Sequence, residues 1–423
     1  MSETTPVAEW DATVQQRTMI DFIDPVSDRY YLMPEVFRYS GTVQVDALRE
    51  ATLEMLRKHD VLRSLYRADG TFVVPETAEA VVDEVFRVLD GPLNVDEAVA
   101  AVRDSIGCPI DLTRERPLRV RLWSSPDAIE HVVGLAVHHL CADAWSQMLL
   151  HEGLAAAYTA ASSGEPVALP TPSQYRDVVT ISELEPEALD AWSSVLRRPY
   201  RGIREVQARA VDRRGPGSEV IREWTGLAPT VKAAAKEHGV SPFVLGASAF
   251  LVALGDVLGD PEVIIGSALA GRTSPAAAES IGYFATSMFL GADVSAERSA
   301  VIEQVARIVR SWTTGPRIQW ETLLEAHGAD DLYPFKFAFQ PENLANRRLR
   351  LPGTTVVKVA SGTAVESARR PFDCIASYDR TSVRLQAIFR TDVFDRSQAE
   401  RLVDRFGDEL RAFAGASAHN RGN

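Results

Sequence analysis

The chain has 423 residues, 46% hydrophobic and 24% charged, which is the balance of a soluble globular protein long enough for two packed cores. Its net charge of −13 argues against nucleic acid as a partner, since phosphate binding needs a basic surface. The three cysteines, Cys108, Cys141 and Cys374, form no CxxC and no disulfide framework. With no signal-peptide pattern at Met1-Ser2-Glu3-Thr4-Thr5 and no apolar run of membrane-spanning length, the expected setting is cytoplasmic and reducing, without a membrane.

In chain order, Trp10 to Asp21 reads as a short helix, Pro34 to Ser40 as a strand ended by Gly41, and Val45 to His59 as an amphipathic helix with Asp46 near its start. Thr71 to Pro75 is the second strand of a hairpin through Asp69-Gly70, and Asn94 to Ile106 a helix. Pro117 to Trp123 and His131 to Val137 form a hairpin turned at Pro126-Asp127, its second strand ending on His138-His139. Trp145, Met148, Leu149, Leu154, Ala157 and Tyr158 then recur at helical spacing, with Asp143 near the helix start, where a carboxylate is favoured. Another helix, containing Trp192, follows the Tyr175 segment. Tyr200 to Gly217 is rich in arginine and glycine and poor in apolar periodicity, and reads as a boundary. Beyond it come a strand near Ile221–Trp224, helices Ala228–His238 and Pro242–Gly255, and strands at Val263–Ser267, Tyr333–Gln340, Thr355–Val359, Phe372–Tyr378 and Val383–Phe389. A closing helix runs from Ser397 to Phe413.

The chain is organised around His138-His139-Leu140-Cys141-Ala142-Asp143-Ala144-Trp145-Ser146. Side chains alternate along a strand, so the two histidines point to opposite faces: His139 with Val133, Leu135 and Val137, His138 with Val132, Gly134 and Ala136. Both faces are apolar, so both rings should be substantially enclosed. Adjacent histidines would arise by chance in roughly one such chain in seven, and with the aspartate in about one in a hundred. The pair alone therefore leaves open a buried histidine pair satisfied by backbone carbonyls.

The stretch resembles the HHxxxDG signature of nonribosomal peptide synthetase condensation domains and their acyltransferase relatives, including the Trp-Ser that often follows, with Ala144 in place of the final Gly. Further segments match that family in order. Arg57 to Tyr66 resembles RHExLRTxF, and Ile110-Asp111-Leu112 with Pro117-Leu118-Arg119 resembles FDL…PLxR. Tyr175 to Val179 resembles YxDYAVW, Ala270-Gly271-Arg272 resembles VxGR, and Ile281 to Ser287 resembles VGxFVNT with Thr286 in place of Asn. The likeness spans about residues 10 to 415. It implies an α/β (α+β) fold of two chloramphenicol acetyltransferase-like lobes forming a V with a central tunnel. The expected division is an N-terminal lobe over 1–199, an inter-lobe linker over 200–217 and a C-terminal lobe over 218–423.

By resemblance, His139 faces the reaction. A neutral imidazole, with an unperturbed pKa of about 6.5, suits proton removal from an acceptor; positioning the acceptor and stabilising the tetrahedral species is the weaker alternative. His139, His138 and Asp143 make up the expected catalytic motif, within which Asp143 is expected to pair with Arg272 from the other lobe as a structural ion pair and His138 to face packing; Ala144, Trp145, Ser146, Gly282, Thr286 and Ser287 are expected to line the tunnel. His59 reads as an ordinary helix-end histidine favoured by the helix dipole. A cysteine near two histidines suggests a thiolate nucleophile, but the resembled signature leaves that position open, so Cys141 reads as a small buried filler; a zinc site with His138 and His139 is disfavoured because adjacent strand residues point apart.

The resemblance thus implies a free-standing, monomeric condensation enzyme with no bound cofactor or metal. It would take an acyl or aminoacyl group from the phosphopantetheine thioester of an acyl or peptidyl carrier protein, in natural-product or antibiotic biosynthesis. The acceptor would be a small-molecule amine or alcohol, giving an amide or an ester. Other readings are an acyl-CoA-dependent ester-forming acyltransferase, a catalytically silent recruitment protein, and an epimerase. Arg17, Arg29, Arg201, Arg204, Arg209, Arg213 and Arg214 are candidates for local carrier docking, though a solvated surface is the ordinary role of any one of them.

Overall fold

The strand that carries the histidines shows how the sequence builds the first unit. Glu130–His138 lies between Leu32–Gly41 and Leu118–Ser124 in a five-stranded sheet, with Thr354–Val359 at one edge and Phe86–Val88 at the other. All pairings are antiparallel except Phe86–Val88 with Leu118–Ser124. Its alternating side chains feed two cores, as a period of two requires. Val133, Leu135 and Val137 join the cluster that includes Leu48, Leu56, Leu150 and Leu154 from the helices Val45–Lys58 and Ala144–Ser162. Val132 and Ala136 join Ala98, Val102 and Ile106 of the helix Val95–Gly107. That helix begins with a full capping box, Asn94 accepting from Glu97 N while Glu97 reaches back to Asn94 N. It packs so close that a Cβ on Gly134 would fall 2.5 Å from Val102 Cγ1.

The structure is a computed structural model that describes residues 7–22, 31–91, 94–179, 200–212, 214–314, 334–341, 347–359 and 367–415. The chain divides into two compact units that are each discontinuous in sequence. The first takes residues 1–181, 270–285 and 346–362, and the second takes 182–269, 286–345 and 363–423. This differs from the linear division at 200–217. Residues 200–217 hold the helix Arg201–Arg209 and the start of the strand Gly215–Thr225, because Ile203 and Val206 find a core that their arginine-rich neighbours hide in the sequence. The expected helix at Trp192, and Arg29 and Arg213, lie outside the described residues.

Besides its main sheet, the first unit has a small antiparallel sheet of Ala8–Asp11, Thr71–Val74 and Leu65–Tyr66. Trp10 therefore sits in a strand, stacked on Phe72, and the helix starts only at Val14. The returning strand Thr354–Val359 is fastened by more than its ladder. Glu35 is buried with Lys358 Nζ at 2.6 Å and His151 Nε2 at 2.7 Å. Burial would raise the Glu35 carboxyl, but His151 and Lys358 beside it hold it below its ordinary value.

The second unit is a seven-stranded mixed sheet in the order Thr286–Asp293, Glu262–Leu269, Phe335–Pro341, Phe372–Tyr378, Ser382–Arg390, Gly215–Thr225, Ser367–Ala368. Its core is completed by the helices Leu227–Glu237, Pro242–Leu258, Arg298–Thr314 and Arg396–Gly415. Pro242–Leu258 has Ser241 as its N-cap, proline at its start and Gly259 closing it at φ +65, each where helix-end chemistry favours it. Among the described residues no single helix is long and apolar enough to cross a membrane.

Candidate active site

The strand ends at His138, and the two histidines then enter a tight turn. His138 N donates to Pro117 O at 2.8 Å and His139 N to Tyr31 O at 2.7 Å, so strands on either side hold the pair. Cys141 N closes the turn on His138 O at 2.9 Å. The two rings differ in environment: His138 is 1% exposed, while His139, past the strand end, is half-buried rather than enclosed.

They also differ in tautomer. Leu140 N donates to His138 Nδ1 at 3.2 Å, so the neutral His138 ring carries its proton on Nε2. His139 Nδ1 lies 2.8 Å from Ala142 O; a carbonyl only accepts, so Nδ1 donates, and the neutral ring has its lone pair on Nε2. Tyr283 packs edge-on against His139 with ring centroids 5.2 Å apart, and Tyr31 lies at 6.4 Å. A ring held in one tautomer between two aromatics can accept a proton at a defined atom.

Asp143 is the N-cap of Ala144–Ser162, accepting from Ser146 N at 2.8 Å. The same Oδ1 accepts from Ser146 Oγ and from Arg272 Nη2, both at 2.8 Å, and Oδ2 accepts from Phe284 N at 3.1 Å. Arg272 also donates to Ala277 O at 2.6 Å and Ser280 O at 2.9 Å, and its guanidinium lies 4.2 Å from the Phe284 ring centroid. The two side chains are 4% and 3% exposed. Burial lowers the Arg272 guanidinium from its ordinary value and Asp143 acts against that shift. Asp143 is thus committed to structure. The expected pair forms, but inside the first unit, because residues 270–285 belong to it.

Three of the sequence motifs converge on this knot. Asp60, from the Arg57–Tyr66 segment, bonds both Arg63 and Arg176, and Asp60 N donates to Gln174 Oε1 at 3.0 Å. Those contacts seat the short helix Tyr175–Val178. Tyr175 donates its hydroxyl to Tyr283 O at 2.9 Å and packs edge-on against Phe284, with centroids 5.0 Å apart. A Cβ on Gly282 would fall 2.0 Å from the Tyr175 ring, and one on Gly271, at φ +64, would fall 1.8 Å from Phe284 O. Both positions therefore require glycine.

His59 is buried where the helix Val45–Lys58 ends, and burial pulls it down to about 4, with Asp60 opposing. It is held neutral, so the expected helix-dipole benefit to a charged imidazole is replaced by packing. The sign of the resulting pH effect is fixed. An unfolded His59 titrates near 6.5, so below that value the unfolded chain binds the extra proton and stability falls as pH drops toward 4. The loss approaches about 3 kcal/mol. Denaturant melts of wild type and His59→Gln at pH 7 and pH 4.5 should show a smaller acid loss in the variant.

The remaining expected site residues separate. Ser146 is fully buried, its hydroxyl bonded to Asp143, Gly282 and Arg272, so it packs the knot rather than lining a channel. Gly282 is likewise buried under Tyr175. Trp145 is half-buried and donates its indole N–H to Ala278 O at 2.9 Å. Ala144 is exposed at the first helical position, and the positive-φ non-glycine residues among those described are Ala128 and Tyr200, so its backbone angles are open to alanine. Thr286 and Ser287 open the strand Thr286–Asp293 of the second unit, opposite Leu269 and Ala268.

Burial pushes the Cys141 thiol up to about 12, next to Ser64 Oγ at 3.9 Å, which makes it a filler rather than a nucleophile. Among the described residues no group of three or more His, Cys, Asp or Glu is placed to hold a metal ion. Of the arginines considered for docking, Arg209 donates to Val393 O and lies over the Phe394 ring, contacts within the second unit. Sequence reasoning missed Tyr31, Tyr283 and Gln16. Gln16 Nε2 donates to Leu140 O at 2.7 Å across 124 residues, which no local pattern signals.

A buried Asp143–Arg272 pair thus holds the turn that carries the half-buried His139. Comparison with known proteins is specific: the family described as Condensation domain matches residues 13–421, and the chain belongs to it. It is 26% identical over 416 residues to the probable non-canonical nonribosomal peptide synthetase CymA of Salinispora arenicola, covering 90% of this chain and 5% of CymA. The chain therefore corresponds to a small part of that relative's length. In fold it matches the condensation domain of the Monacolin K polyketide synthase MokA, with a TM-score of 0.76, 16% identity, and coverage of 97% of this chain and 98% of that one. It also matches the X-domain from teicoplanin biosynthesis, with a TM-score of 0.75, 19% identity, and coverage of 98% and 96%.

Proposed function

We propose that the chain transfers an acyl or aminoacyl group from the phosphopantetheine thioester of a carrier protein to an amine, giving an amide, or to a hydroxyl, giving an ester. Family membership supports the class of reaction, since condensation domains occur in nonribosomal peptide synthetases such as the CymA relative. The single observation that carries the assignment of His139 is its tautomer. With Nδ1 donating to Ala142 O, Nε2 is the atom that accepts a proton.

The acceptor nitrogen or oxygen attacks the thioester carbonyl; the new C–N or C–O bond forms and the C–S bond breaks. The acceptor's proton passes to His139 Nε2 and from there to the departing thiolate. Asp143 and Arg272 take no proton in this scheme and hold the turn that presents the ring. Phosphopantetheine is then part of the substrate, delivered by the carrier.

Both this chain, at −13, and typical carrier proteins are acidic, so bulk attraction cannot drive docking and a local patch must. The test presents one acyl group in three forms, on a carrier protein, on a small-thiol surrogate and on CoA, with candidate amines and alcohols and mass-spectrometric readout. Carrier-bound donor should be used far more efficiently, because docking raises the local concentration of the thioester. Equal use of the surrogate or a preference for CoA overturns the carrier reading. Product loss with all three donors favours a recruiting or epimerising role.

A further inference from the structure

We infer that Gln16 is a positioning residue for His139, an assignment that rests on the acyl-transfer reading for its kinetic consequence but not for its geometry. Gln16 is fully buried in the first turn of Val14–Phe22. It forms a capping box with Thr13: Gln16 N donates to Thr13 Oγ1 at 3.2 Å and Thr13 N to Gln16 Oε1 at 3.0 Å. In most helices such a box ends in solvent. Here the amide continues past it, and Nε2 donates to Leu140 O at 2.7 Å. Since a carbonyl cannot donate and Thr13 N cannot accept, the orientation of the amide is fixed from both ends.

Leu140 lies between the active histidine and the carbonyl that sets its tautomer. Its N–H is held by His138 Nδ1 and its C=O by Gln16, so the peptides on both sides of the residue are locked. That lock keeps Ala142 O within 2.8 Å of His139 Nδ1. A second route reaches the same ring. Tyr175 donates to Tyr283 O, and the Tyr283 ring packs against His139. The Thr13–Gln16 box thus braces His139 through its backbone turn, while Tyr175 supports the aromatic neighbour. Gln16 itself is neutral and buried, so it acts through these groups and not on substrate.

The test uses two variants of the full chain. Gln16→Glu keeps the length and an oxygen for Thr13 N but turns an acceptor toward the Leu140 carbonyl; Gln16→Met removes both bonds. Both should lower kcat by roughly 10- to 100-fold, the scale of a small misplacement of a catalytic group, while KM for the carrier-bound donor stays within about twofold. A packing residue would instead reduce active protein without this split. Histidine-selective ¹⁵N NMR gives a readout that needs no activity. Wild type should show His139 protonated on Nδ1, and each variant a new population protonated on Nε2. Wild-type kcat in both variants, or an unchanged His139 tautomer, overturns the inference. A tautomer change in a protein whose wild type transfers nothing leaves the positioning role standing and removes the acyl-transfer reading.

Discussion

Alanine at His139 should cut acyl transfer by about 10²–10⁴-fold and leave the fold in place. The side chain is half-buried at the end of a strand, so truncating it removes little packing, and the Asp143–Arg272 pair does not depend on it. What disappears is the Nε2 lone pair that Ala142 holds ready by fixing Nδ1 as a donor. His138→Ala should behave in the opposite way. Its ring is buried, and Leu140 N donates to it; without it that buried N–H loses its partner, at about 1–3 kcal/mol. Circular dichroism melts and single-turnover kinetics on the two variants separate the cases. A stable, inactive His138→Ala beside an active His139→Ala would reverse the assignment of the two rings.

The contrast between these histidines was partly legible in the sequence. A period of two along residues 130–138, with apolar residues on both faces, places Val133, Leu135 and Val137 opposite Val132 and Ala136, and the structure sends them to separate cores. Asp143 before an apolar helical stripe signals an N-cap, and it is one. Less of the site's support could be read, because it depends on partners far along the chain. Trp10 to Asp21 has helical composition, yet Ala8–Asp11 is drawn into a strand by Thr71–Val74, sixty residues on. Thr13 then starts the helix later. The contact of Gln16 with Leu140 and that of Tyr283 with His139 join segments that share no local pattern. Burial of Ser146 follows from the return of residues 270–285 to the first unit, which composition does not announce. The helices Ala78–Val85 and Arg298–Thr314 were not anticipated either.

Breaking the Asp143–Arg272 pair from either side should cost about 3–5 kcal/mol, the range for leaving one charge buried and unmatched. Asp143→Ala removes the acceptor for Arg272, Ser146 N, Ser146 Oγ and Phe284 N together, and with them a helix cap that alone contributes about 1 kcal/mol. Arg272→Ala leaves the carbonyls of Ala277 and Ser280 without their donor and the Asp143 carboxylate buried without its counter-charge. Lysine at 272 should rescue little, since an ammonium cannot span Asp143, Ala277 and Ser280 as a planar fork does. In the double alanine variant neither charge remains to be stranded, so its loss should fall short of the sum of the single losses by about 0.5–3 kcal/mol. Urea unfolding of the four proteins measures this directly, and strict additivity would show that the two side chains do not act as a pair. Kinetics on the surviving folded fraction add a second constraint. Because Asp143 takes no proton in the proposed reaction, kcat per folded molecule should fall far less in Asp143→Ala than in His139→Ala. A loss as deep as that of His139 would move the carboxylate from the scaffold into the chemistry.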